Sequence, residues 1–463
     1  VSKIGLRQTL AGRLARYSRE LTYRRLSSET VHEVKRRLID TFACALGGWT
    51  ATPTQIARDA AKVVRLRSGA TLLGTAWKTT PDLATFANGT AVRFLDYNDT
   101  YLSKEPAHPS DNISTALAVA EVAGAGGKKL IEAILLGYEV QCRLCDAAAL
   151  RPRGWDHVVY GAFSTALVAA KLWGLSETET GHALGLAGTA NYALRQTRVG
   201  ELSMWKAAAF ANTARNGLFA VSLARLGMTG PAPIFEGEKG MMQIVSGSFD
   251  LPPLPLDGPF KILETYIKYY PVEYHAQSAV EASLRLRERI KRVKPGRIDK
   301  IMVRTSGVSH EIIGRDPEKW HPKTRETADH SLPYCVAAAL LDGEVGLQQF
   351  DPEHVSDPKL HSFMQRIQVV TDPELSAAYP EAIANTVEVT IGGKVYSKRV
   401  DHPRGHPKNR MSDTEIEAKF RLLAESLLSK KQIQTTLDRL WNLEKEKSIG
   451  ALLALFKIKR RTS

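Results

Sequence analysis

Three stretches constrain this chain most: FSTALVAAKLWG (163–174), HALGLAGTANYAL (182–194) and MWKAAAFANTARNGLFAVSLARLG (204–227). Each has the continuity of a helix, and each is apolar or small on almost every side. Such helices need neighbours all round, and Ala and Gly let those neighbours approach closely. The chain must therefore build a helical bundle with buried members. Flanking segments agree. In SSETVHEVKRRLIDTFACALGG, Val31, Val34, Leu38 and Phe42 share one helical face, and Gly47 and Gly48 end the helix. Thr80-Pro81-Asp82 opens a helix over PDLATFANGTAVRFLD, and Ser110-Asp111 opens the next, DNISTALAVAEVAG.

The pattern changes near residue 250, where LPPLPLDGPF places four prolines in ten residues. Beyond it, strands are predicted at KIMVRT (300–305) and RIQVVTD (366–372), and a Gly-Gly turn makes a hairpin of NTVEVTIGGKVYSKRV. Helix resumes after SDTE, where Ser412 and Glu415 form a capping box. The expected fold is mainly α with an α+β part. A helical domain over 1–263 is followed by an α+β domain over 264–407, and C-terminal helices over 408–463 pack back on the first domain.

Composition narrows the function. With 43% hydrophobic and 24% charged residues, the 463-residue chain is an ordinary globular one. It has no apolar run of the roughly 18 residues a membrane-spanning helix needs. Its opening residues mix charge with apolar positions and lack a signal-peptide core. A soluble, cytoplasmic protein that does not bind membranes is expected, with a removed organellar targeting segment left open because the sequence begins at Val1. The net charge of +14 suits nucleic acid, an anionic surface or small acidic substrates. Its basic residues are scattered, apart from the amphipathic start and the KIKRR tail, and no aromatic-rich RNA-binding signature accompanies them. That pattern favours a cationic pocket, with no nucleic acid partner. Four cysteines make no disulfide framework, and Cys142 and Cys145, although spaced as CxxC, lie in an apolar helix and read as core. Nucleotide-binding glycine loops, the GxSxG elbow and HExxH are all absent. Any chemistry here runs on acids, bases and lysine.

Four places could carry that chemistry. The loop DYNDTYLSKEPAHPSD (96–111) gathers Asp96, Asp99 and His108, and a carboxylate near an imidazole can fix its tautomer. The competing reading is a helix-capping loop with exposed acids. His157 stands just before an apolar helix, where it could equally be an ordinary helix-end residue. Lys206 interrupts a small, apolar run; it is either buried against an anion or snorkels to water. Past residue 263, YIKYYPVEYHAQ brings Lys268, Glu273 and His275 together, and RETADHSLPY brings Arg325, Glu326, Asp329, His330 and Tyr334 to a helix start.

Taken in series, LIDTFACALGG, NGTAVRFLDYNDT, AHPSDNISTALAVAE, GWDHVVYGAF, YYPVEYHAQSAVEA, TRETADHSLPYCVAAALLDG and RGHPKN resemble the MmgE/PrpD family over nearly the whole chain. The resemblance implies a large helical domain built from both chain ends, an inserted α+β lid, a homodimer, and an active site in the cleft between domains. It implies action on small di- or tricarboxylates with no iron–sulfur cluster or other obligate cofactor and no metal. Asp96, His108, His157 and Lys206 match the family's catalytic positions, and Lys268, His275 and Tyr334 are carried over as substrate-binding.

PVEYHAQSAVEA looks like the dehydratase form, whereas the decarboxylase branch tends to carry a histidine near Glu273. The implied reaction is loss of water from 2-methylcitrate, or from citrate. Itaconate formation from cis-aconitate, another lyase or epimerase reaction, and anion or RNA binding on the same fold are the alternatives. Lys206 and His157 are expected to hold carboxylates and developing charge, and His108, oriented by Asp96, to move the proton.

Overall fold

The computed structural model of the protein describes residues 5–290 and 294–458. The KIKRR tail from residue 459 and the first four residues of the amphipathic start lie outside the described residues. The chain forms two compact units. The first comprises the chain up to Thr197, Ala207–Thr265 and the chain from Ser412; the second comprises Arg198–Lys206 and Tyr266–Met411.

The first unit is helical. Its helices are α1 (Leu10–Glu20), α2 (Ser28–Gly47), α3 (Thr52–Ala61), α4 (Pro81–Phe94), α5 (Asn112–Val122), α6 (Gly127–Ala147), α7 (Val159–Trp173), α8 (Glu177–Ala190) and, from Ala207 on, α9 (Trp205–Arg225), with a two-residue ribbon pairing β1 (Ala70–Thr71) with β2 (Lys78–Thr79). Pro81 takes the first turn of α4, where its missing N–H costs nothing. In α7 every residue but Trp173 is buried, as an apolar helix with no polar face requires. Small residues set the spacing of its neighbours. A Cβ on Gly161 would stand 2.5 Å from the Phe210 ring of α9, and one on Gly217 would stand 2.6 Å from Thr165 Oγ1. The later helix Asp413–Ala424 starts on the predicted capping box and packs on α2. Lys419 fastens it there through Asp40 Oδ1 (2.6 Å) and the Tyr97 carbonyl (2.8 Å).

The second unit is α+β. Strands β3 (Lys300–Thr305), β4 (Ile367–Thr371), β5 (Asn385–Ile391) and β6 (Lys394–Val400) lie in the order β4-β3-β5-β6, with β3 parallel to β4 and the other pairs antiparallel. Ile301, Val303, Val387 and Val389 point into the core beneath helices Gln277–Arg289 and Leu332–Asp342. Gly392 and Gly393 both adopt positive φ (55° and 80°), as the tight hairpin turn demands. The edge strand β6 carries Lys394 and Lys398, charges that discourage further pairing.

Several bounds differ from the sequence reading. Residues 198–206, placed by the proline-rich break in the helical domain, belong with the α+β unit. Leu202 N–H donates to Thr327 Oγ1 (3.3 Å), and Lys206 Nζ reaches Asp329, so their bonds outweigh their position in the chain. The second unit also begins at Tyr266 and ends at Met411 instead of 264 and 407. Among the described residues no helix is long and apolar enough to cross a membrane.

Candidate active site

The acids of the 96–111 loop face inward: Asp96, Asp99, Glu105 and Asp111 are all essentially buried. The loop folds on itself through a bridge between Tyr101 and Ala107. Asp99 ties its ends together, Oδ1 accepting from Ser110 N–H (3.0 Å) and Oδ2 from the Tyr138 hydroxyl (2.6 Å). Burial and the Asp99 charge push the Tyr138 phenol well above its ordinary range. Glu105 accepts from Leu150 and Arg151 N–H, and Tyr101 and Ser103 donate to Asp146. The competing reading, a capping loop with exposed acids, is thereby excluded.

His108 is oriented by this scaffold. Its Nδ1 lies 2.7 Å from the Asp99 carbonyl, which can only accept, so Nδ1 carries the hydrogen. Thr100 Oγ1 stands 3.1 Å from the same nitrogen. Nε2 then presents its lone pair to Arg93, 2.7 Å away. The buried Arg93 guanidinium also binds Asp96 and lies 4.0 Å from Asp111. Asp96 thus reaches His108 through Arg93. At φ 49°, Asp96 is the one non-glycine with positive φ among the described residues, a conformation that costs energy and recurs where function holds a side chain in place.

His157 sits beside His108, ring centroids 5.6 Å apart. Its Nδ1 is 2.8 Å from Asp156 Oδ1, and Asp156 is wholly buried, its N–H fixed on the Ala193 carbonyl. A carboxylate at Nδ1 stabilises the imidazolium and directs proton exchange to Nε2. Asp96, His108 and His157 are therefore gathered in the first unit, together with Arg93 and Asp156, which the sequence reading missed. The Asp-His pair in WDH was the available signal for Asp156; Arg93, one turn before Asp96 on an ordinary helix, offered none.

The second unit holds the other cluster. Lys206 is 2% exposed, and its Nζ donates to Asp329 Oδ1 (2.8 Å), which excludes snorkelling. His330 Nδ1 shares that oxygen at 2.5 Å and lies 3.1 Å from Lys206 Nζ. Glu273 N–H donates to the Asp329 carbonyl (2.8 Å), bringing the 273–275 turn alongside. Glu273 Oε1 pairs with His275 Nδ1 and Oε2 accepts from His275 N–H, both at 2.8 Å. Asn385 of β5 pins the His275 carbonyl (2.9 Å). Burial would raise the Glu273 carboxyl, but His275, His330 and Lys268 together hold it at about 2. Lys268 and His275 thus belong to this cluster.

Tyr334 does not. Its hydroxyl donates to the Gln349 carbonyl (2.5 Å) and meets His354 Nδ1 (2.7 Å), whose Nε2 reaches Asp342. Helix Leu332–Asp342 turns this side chain toward Phe350, so the hydroxyl expected to bind substrate is occupied in the unit's own core.

The fold and these clusters define an acid–base protein. Buried imidazoles are each steered at Nδ1, and lysines are buried where carboxylates could meet them. The chain belongs to the MmgE/PrpD family: the family's N-terminal domain matches residues 12–254 and its C-terminal domain residues 270–443. Among curated relatives, 2-methylcitrate dehydratase of Salmonella typhimurium is 30% identical, covering 80% of this chain and 81% of that protein. Mitochondrial 2-methylcitrate dehydratase of Yarrowia lipolytica is 29% identical, covering 84% and 79%. Human cis-aconitate decarboxylase is 25% identical, covering 93% and 91%.

Proposed function

We propose that the protein is a hydro-lyase that converts 2-methylcitrate to 2-methylaconitate and water, with citrate to cis-aconitate as the same chemistry on a neighbouring substrate. The observation that carries this reading is the buried Lys206–Asp329–His330 cluster, set in a unit with two further buried lysines, Lys268 and Lys319. The proton to be removed lies α to a carboxylate and is weakly acidic, so the negative charge that develops on that carboxylate needs preorganised cations. Lys206 and its neighbours supply them.

Proton transfer falls to the first unit's imidazoles. His157, backed by the Asp156 carboxylate, is the better base for the carbon-bound proton. His108, with a carbonyl at Nδ1 and a guanidinium at Nε2, is held neutral and serves orientation. This exchanges the roles the sequence suggested. The proton taken from carbon and the hydroxide released from the adjacent carbon leave together as water, so no net redox change occurs. The working protein is a homodimer without a resident cofactor or nucleic acid partner, in the cytoplasm or, as for the Yarrowia relative, in mitochondria.

The test offers the purified, chelator-treated protein 2-methylcitrate, citrate and cis-aconitate separately and identifies products by proton NMR. Loss of water from a hydroxy acid is expected, fastest from 2-methylcitrate. Activity that returns only on adding metal or a rebuilt cluster would contradict the cofactor-free part. The human relative favours a second reading, decarboxylation of cis-aconitate to itaconate. Against it stands Glu273, engaged with His275 where that branch is expected to carry histidine. Itaconate as the sole product would reverse the choice.

A further inference from the structure

Lysine buried in a protein is normally satisfied, and the described lysines follow the rule. Lys35 bonds the Trp441 carbonyl and Glu444; Lys171 bonds the Ser18 and Leu21 carbonyls; Lys419 bonds Asp40 and the Tyr97 carbonyl; Lys206 bonds Asp329. Lys319 breaks it. At 2% exposure it is as buried as Lys206, yet no hydrogen bond or ion pair joins its Nζ to any other described residue. An ammonium on so buried a side chain, with no protein partner, is a costly arrangement for a fold to hold.

The backbone around it is pinned, so the side chain is not there by looseness. Lys319 ends a single 3-10 turn, Pro317–Lys319; its own N–H donates to the Asp316 carbonyl (3.0 Å), and its carbonyl accepts from Ser331 Oγ. Ser331 also caps helix Leu332–Asp342 and directly follows Asp329 and His330. Trp320, the next residue, donates its indole N–H to the Gly314 carbonyl (2.9 Å). Burial and the Lys206 charge push the Lys319 ammonium below its ordinary range, opposed by Asp316, Asp329 and Glu273. Lys319 therefore feels the charges of the cluster just described while bonding to none of it. The acids within its field are already engaged, Asp329 by Lys206 and His330, Glu273 by His275.

We propose that Lys319 is a substrate-binding residue whose ammonium receives a carboxylate of the tricarboxylate substrate, the incoming anion supplying the partner the protein leaves out. This rests on the dehydratase reading and adds a residue to it. It also gives Lys319 a role in specificity: with Lys206 and Lys268 it brings the buried ammonium groups of this unit to three, matching the charge of a tricarboxylate better than that of a dicarboxylate.

The test uses full-length protein and propane-1,2,3-tricarboxylate, which cannot lose water, as the probe, read by calorimetry and by thermal shift. Wild type is expected to bind it and to melt higher in its presence. Lys319→Met should weaken that binding by about 10- to 100-fold, the scale of one charge-assisted hydrogen bond, and raise KM more than it lowers kcat. Without ligand, Lys319→Met should melt at or above the wild-type temperature, because a buried unpaired charge has been removed. Lys319→Arg should retain part of the binding. Wild-type affinity in Lys319→Met, or a loss of several degrees in its unliganded melting temperature, would overturn the proposal and make the residue structural. If wild type ignores every tricarboxylate, the dehydratase reading falls separately. Lys319 is then judged with phosphate and sulfate, and an anion response unchanged in Lys319→Met overturns its role as an anion receptor.

Discussion

Imidazoles in this protein are steered by what stands at Nδ1, and that gives each a distinct use. His157 has a carboxylate there, His108 a carbonyl, His275 a glutamate two residues earlier. Asp156→Asn keeps shape but withdraws the charge and permits the wrong tautomer. It should lower kcat by about 100- to 10,000-fold while leaving the melting temperature near wild type, measured by steady-state kinetics beside a thermal melt. Glu273 carries a pH signature. Its carboxyl titrates at about 2 in the fold against an ordinary 4.5. Its stabilisation is therefore complete above 4.5 and is lost as pH falls from there toward 2. Glu273→Gln should flatten the acid unfolding curve in that window, and urea titrations at pH 5, 4 and 3 would reveal a parallel fall instead if the pairing contributes nothing. Which residues were legible in the sequence follows the same chemistry. Histidines and an acid in an odd loop stand out, as does a lysine in an Ala-rich helix. Arg93 and Lys319 do not, because an arginine near a helix end and a lysine in a polar turn are ordinary until burial shows what they lack or hold.

Secondary structure was readable where a local rule decides it. Lys300–Thr305 spans the predicted strand, and Gly392-Gly393 forms the expected turn, because alternation and positive φ are properties of a few neighbouring residues. The segment 198–206 was not readable, since its allegiance is set by Thr327 and Asp329, far away in sequence. Helix α6 shows another constraint invisible to periodicity. Gly127 at its start donates to the Glu446 carbonyl (2.8 Å), and a Cβ there would lie 1.6 Å from the Leu443 carbonyl oxygen. Backbone cannot step aside as a flexible side chain can. Gly127→Ala should cost at least about 1–3 kcal/mol, seen as a lower urea midpoint, whereas Gly124→Ala, with open space around it but a strained φ of 64°, tests backbone conformation alone.

Across the molecule, all four cysteines are free and buried, and burial raises the thiols of Cys142, Cys145 and Cys335 well above their usual range. Thiolate is the reactive form, so Ellman's reagent should label the native protein negligibly and all four sites once it is unfolded; rapid native labelling of two sites would revive a redox role for the CxxC pair. The discontinuity of the α+β unit reaches further, into the order in which the protein can be made. Lys206 and Asp329 are 123 positions apart. During synthesis the 198–206 segment emerges first and must wait, its lysine unmatched, while the chain that builds part of the helical unit and then the first part of its own unit follows. Closing so long a loop is slow relative to local helix formation. The charge cluster on which the proposed chemistry depends therefore forms after the local helices around it, and a ribosome paused before residue 329 would carry the bundle's central helices without it.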